Sequence, residues 1–134
     1  MSISPIEPGE QLALYVTQEQ DPFNDGQLTG NPFVPRHALK DDKRLETSII
    51  RYGNRSSDEM KNCGSHWAKY VKQSFLGIAQ VSIEAVRMIP SLNVEHTPRK
   101  WESLHSDIIN WDLKEPQYRL QAEKLARKAN FISV

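Results

Sequence analysis

The sequence predicts an α+β domain: a small sheet with two or three helices packed on one face, preceded by an irregular, proline-rich arm. Three observations carry this. The runs "LETSIIRY" and "FLGIAQVSI" are short and rich in β-branched residues, as strands are. Between and after them, apolar residues recur at the three- and four-residue steps of a helix face. Five of the eight prolines (5, 8, 22, 32 and 35) crowd the first 35 residues beside Gly9, Gly26 and Gly30. Proline fixes φ and removes a donor, which disfavours long regular elements there. One chain of 134 residues fits one domain, divided here into an arm over 1–44 and a body over 45–134.

Within the arm, "EQLALYVTQ" (10–18) fits two elements. Leu12, Leu14 and Val16 alternate as in a strand, while Leu12, Tyr15 and Val16 suit a short helix. "DPFNDGQLTGNPFVP" reads as consecutive turns, with Phe23 and Phe33 anchoring the arm to the body. The body opens with the strand "LETSIIRY" and the turn "GNR". Ser56 and Glu59 have capping-box spacing and start a helix over 57–72. Met60, Cys63, Trp67, Tyr70 and Val71 form its apolar face. Gly64 costs about 1 kcal/mol in helix propensity; it either permits a close packing contact or marks a break. "FLGIAQVSI" (75–83) is the second strand, its Gly77 and Ala79 leaving room for an opposing helix. Ser82 caps a short helix that Pro90 ends. "SLNVEH" is a short strand and "TPRKWES" a connection. Pro116 begins a last helix over 116–129, with Tyr118, Ala122, Leu125, Ala126 and Ala129 inward. "FISV" closes as a strand or a tail.

Composition bounds the function. No run of about 18 apolar residues exists to span a membrane, and "MSISPIEPGEQ" lacks the pattern of a secretory signal. The single cysteine, Cys63, precludes an internal disulfide and fits a reducing cytoplasm. Net charge is zero but unevenly spread. Residues 1–42 hold seven acids and two bases, a net −5; residues 43–134 hold fifteen bases and ten acids, a net +5. An acidic arm lying on a basic body is one reading, and a basic body seeking an anionic partner is the other.

"LETSIIRY", "GIAQVSIEAV", "VEHTPRKWESLHSDIINW" and the Ala-rich last helix together resemble a group of short bacterial proteins. The similarity covers most of 45–134: a strand ending in arginine, a small-residue strand, and a histidine-containing segment before a Trp-Pro turn. Here Asp112 follows Trp111, a departure at that turn. The resemblance implies a bacterial, cytoplasmic protein and no particular activity.

No phosphate-binding loop, dinucleotide fingerprint, nucleophile elbow or H-E-x-x-H is present. Cys63 and His66 share a helix face, and His96 and His105 could approach them. Structural zinc shows tighter paired spacings, so neither a metal nor a cofactor is expected. The candidate catalytic set is Ser48, Arg51, His105 and Asp107. The histidine–carboxylate combination suits a general base, and the arginine suits a phosphate or carboxylate. In "HSDIINWDL" (105–113), alternation puts Ile109 and Trp111 on one face and leaves Trp111 partly exposed. It then joins His105, Arg51 and Trp101 as a binding residue.

Three function classes follow. The first is a small cytoplasmic interaction or accessory protein of a bacterial multi-protein system, with a protein partner and no membrane. The second is a nucleic-acid binder using Lys61, Lys69, Lys72, Arg99, Lys100, Lys124, Arg127 and Lys128, with Trp101 or Tyr118 for stacking. The third is a small phosphoryl- or ADP-ribosyl-transfer enzyme using His105 and Arg51.

Overall fold

The computed structural model describes residues 5–38 and 41–134, with the backbone alone for 41–43. Residues 1–4, 39 and 40 of the expected arm lie outside the described residues. Among the described residues nine strands form: β1 Gln11–Thr17, β2 Phe23–Asn24, β3 Gln27–Leu28, β4 Arg36–Ala38, β5 Asp41–Arg51, β6 Phe75–Ser82, β7 Asn93–His96, β8 His105–Ile109 and β9 Asn130–Ser133. The helices are α1 Ser57–Tyr70, α2 Ile83–Arg87 and α3 Glu115–Lys128. The class is α+β. Seven strands make one antiparallel sheet in the order β7-β8-β5-β1-β6-β9, with β4 also on β5; β2 and β3 make a separate hairpin. Among the described residues no helix is long and apolar enough to cross a membrane.

β1 is the middle of this sheet, paired with β5 on one edge and β6 on the other. This corrects the division at residue 45: part of the proline-rich region is one of the two central strands, and only its flanks wrap the body. The physical reason is local. "LALYV" contains neither Pro nor Gly, and all five residues are buried because both faces of the sheet are covered. The flanking turns then hold. Phe33 is fully buried, and Phe23 meets Phe131 edge-on at 4.9 Å. Gly30 lies so close to α3 that a Cβ would stand 2.7 Å from the Glu123 main-chain nitrogen.

Alternation sorts the helices. Leu12, Leu14 and Val16 face one side, where α2 and α3 add Val86, Ala122 and Leu125. Ala13 and Tyr15 face the other, against Met60 of α1. Two helices thus share a face, and the third covers the opposite one. α1 starts as expected: Ser56 Oγ accepts from the Glu59 N–H and Glu59 Oε1 from the Ser56 N–H. Gly64 permits close packing, since a Cβ there would meet the Phe75 ring at 2.5 Å. Tyr70, expected to face inward, is 88% exposed. Gly77 makes room for a strand, not a helix. At φ 150° its missing Cβ would lie 2.2 Å from the Ile132 carbonyl of β9.

Trp111 is a second correction: it is 5% exposed and belongs to the core on the α2–α3 side. β8 ends at Ile109, and Asn110 takes φ 68°. That left-handed residue breaks the alternation, so Trp111 folds back beside Ile108 and its Nε1–H donates to the Ile108 carbonyl at 2.9 Å.

Candidate binding cleft

β1 and β5 pair only at Leu12–Arg51 and Ala13–Ile50, then part. Further along, β5 is paired with β4 at Glu46 and Leu45. The gap is a cleft of about 200 Å³ bounded by Tyr15, Ser48, Ile50, Trp67, Trp101 and His105. A larger cavity of about 640 Å³ shares Tyr15, Trp67 and Trp101 with it and extends past Cys63, His66 and Tyr70 to the Arg55–Glu102 pair. Together they make an aromatic-walled groove between α1 and the β7–β8 loop. Tyr15 and Trp67 are 5.5 Å apart and tilted by 40°, while Trp101 stands edge-on to His105 at 5.8 Å.

The β5–β8 register brings three of the sequence-derived residues together. Ile50 pairs with His105 and Ser48 with Asp107, so Ser48, His105 and Asp107 share the groove side of the sheet. Thr97 links two of them. Its hydroxyl donates to Asp107 Oδ2 at 2.8 Å, and its carbonyl lies 2.9 Å from His105 Nδ1. A carbonyl only accepts, so Nδ1 carries the imidazole proton and Nε2 keeps a lone pair. Burial lowers the His105 pKa, outweighing the Asp107 charge and the Thr97 carbonyl, so the neutral ring is favoured. Burial, helped by the Asp107 charge, raises Glu46 on the cleft wall. Burial also pushes the Tyr15 phenol well above its ordinary range and keeps it a donor.

Arg51 does not join this set. It is one step out of phase with Ser48 and Ile50, hence on the other face. There it is 2% exposed, and its Nε and Nη2 donate to the two Glu10 carboxylate oxygens at 2.8 Å each. His96 Nδ1 lies 3.4 Å from its Nη1, so His96 and His105 also occupy opposite faces. Among the described residues no cluster of three or more His, Cys, Asp or Glu is placed to hold a metal ion.

Of the remaining candidates, Trp101 is 59% exposed at the groove mouth and Lys100 is exposed beside it. Arg99 Nη2 stands 3.8 Å from Asp107 Oδ2. Lys124, Arg127 and Lys128 are exposed on α3, which packs on the opposite face, whereas Arg99, Lys100 and the exposed Lys69 and Lys72 lie on the groove side, so the basic candidates are split between the two faces. Sequence reasoning missed Tyr15, Arg55, Glu102 and Thr97, and read Trp67 and Tyr70 only as core. The odd-numbered β1 residues were the available signal for Tyr15; nothing in the local sequence marks Thr97.

Arg55 donates to both carboxylate oxygens of Glu102, which is 6% exposed. Burial raises the Glu102 pKa, but the hydrogen bonds from Arg55 and the Leu104 N–H outweigh it and hold the carboxyl below its ordinary range. A depressed carboxylate contributes stability above its unfolded pKa and loses it as the pH falls through the folded value. Glu102→Gln should therefore cost about 1.5–3 kcal/mol at neutral pH. The difference from wild type should close in acid, as read from urea denaturation across pH; a pH-independent difference would refute this origin.

No family model, curated protein or solved structure matches the chain.

Proposed function

We propose that this is a small interaction protein that binds a protein partner through the groove between α1 and the β7–β8 loop. It would serve as a cytoplasmic accessory protein of the bacterial kind that the resemblance implies. One observation carries this reading: four aromatic side chains, Tyr15, Trp67, Tyr70 and Trp101, line one groove, with Tyr70 and Trp101 largely exposed. Exposed Trp and Tyr beside a partly apolar cavity are the residues that dominate binding energy at interfaces. The polar trio favours binding over chemistry. Ser48 and His105 share a wall with no hydrogen bond between them among the described interactions, and Asp107 is tied to Thr97. Nucleic-acid binding is less well supported, because the exposed bases are split between the two faces of the sheet and form no single basic surface with Trp101.

The test starts with photo-crosslinkers placed at 70 and 101, with 120 on α3 as the control, followed by reconstitution with the purified partner. Trp101→Ala and Tyr70→Ala should each weaken the complex by about 2 kcal/mol or more while leaving Tm near wild type. A reconstituted partner that binds both variants as tightly as wild type would sink the reading.

A further inference from the structure

We infer that the partner's anchor in the cleft is an aromatic side chain bearing a hydrogen-bond donor, tryptophan or tyrosine, whose N–H or O–H donates to His105 Nε2. This rests on the groove being the partner-binding surface and names what enters it.

Size comes first. A cavity of about 150 Å³ admits a benzene ring, and the cleft measures about 200 Å³. It has room for one substituted or fused ring. The walls suit a ring as well: Tyr15 and Trp67 form one side and Trp101 the mouth, and aromatic groups pack well in offset or edge-to-face contact.

Polarity then selects among rings. His105 is 3% exposed and lines the cleft with Nδ1 turned to Thr97. Among the described residues no donor reaches Nε2, so the lone pair is left for whatever fills the cleft. A phenylalanine would occupy the space and desolvate that acceptor without pairing it, which is costly. A phenol or indole supplies the missing donor. Charge argues against a lysine or arginine anchor. The ionic residues of the groove wall are Arg36 and Glu46 in the cleft and Arg55 and Glu102 in the larger cavity, which offset one another.

The experiment uses the full chain and three probes: the N-acetyl amides of tryptophan, tyrosine and phenylalanine, with binding followed by NMR titration. The tryptophan and tyrosine amides should bind about tenfold more tightly than the phenylalanine amide. Trp101→Ala, at an exposed site that leaves folding intact, should weaken both. Equal affinity for the tyrosine and phenylalanine amides overturns the role of His105. No binding by any of the three at millimolar concentration overturns the aromatic anchor, even where Trp101→Ala still abolishes partner binding and the groove reading stands. A partner indifferent to Trp101→Ala removes both proposals, whatever the amides do.

Discussion

Replacing Glu10 with glutamine should destabilise the protein by about 3 kcal/mol, since of two hydrogen bonds to a charged group, at about 1.5–3 kcal/mol each, one is lost and the other weakened. Arg51 is almost fully buried, and Glu10 meets its guanidinium with both oxygens at 2.8 Å. The pair lies where the chain enters the sheet. Its Leu12–Arg51 neighbours are one of only two pairs joining β1 to β5, so the loss should loosen the central strand. The Pro5 carbonyl, 3.4 Å from Nη2, holds the preceding segment to the same guanidinium. Glutamine keeps the shape and some hydrogen bonding but not the charge. Removing both charges is a different matter. In Glu10→Leu/Arg51→Met both charges of this pair are gone, and much of the loss should be recovered, because apolar replacements of buried pairs are often neutral. Chemical denaturation of the single and double variants measures this. A single-variant loss under about 1 kcal/mol would mean that the Glu10 carboxylate contributes little to holding Arg51.

The pair also shows what the sequence could and could not disclose. Ser48 and Arg51 lie three positions apart on one strand, and an odd separation puts side chains on opposite faces. Their separation was therefore legible, and the proposed Arg51–His105 site neglected it. The meeting of Ser48, His105 and Asp107 was not legible, because it depends on the antiparallel register of β5 with β8, set by pairs far apart in sequence: Ser48 with Asp107 and Ile50 with His105. Caps were readable because their chemistry is local: Ser56 with Glu59, Ser82 with Ala85, and Pro116 at the start of α3. The centrality of β1 was hidden by the prolines and glycines on either side. A seven-residue strand buried on both faces is apolar on both, so its sequence fits a strand or a short helix and does not decide between them.

Trp111→Ala should cost about 3–5 kcal/mol of stability, the range for truncating a large core aromatic. The sequence argument placed this residue at a surface because it counted alternation through Asn110. The left-handed φ of Asn110 interrupts that count. The indole instead lies with Ile108, Val94 and Leu92 in the core on the α2–α3 side, and its nitrogen is satisfied by the Ile108 carbonyl. Truncation removes the ring from a closed environment and leaves that carbonyl without its side-chain donor, so the cavity and the lost hydrogen bond act together. Trp101 provides the internal comparison. It is the same residue type in the same short stretch of chain, but 59% exposed, so Trp101→Ala should change stability by no more than about 0.5 kcal/mol. Thermal and urea denaturation of the two variants side by side decides the matter. A near-wild-type melting temperature for Trp111→Ala would return Trp111 to the surface and break the core assignment, whereas a large loss in Trp101→Ala would show the groove wall to be structural. The expected result assigns opposite duties to two tryptophans ten residues apart: Trp111 belongs to the core on the α2–α3 side, and Trp101 remains available at the groove mouth.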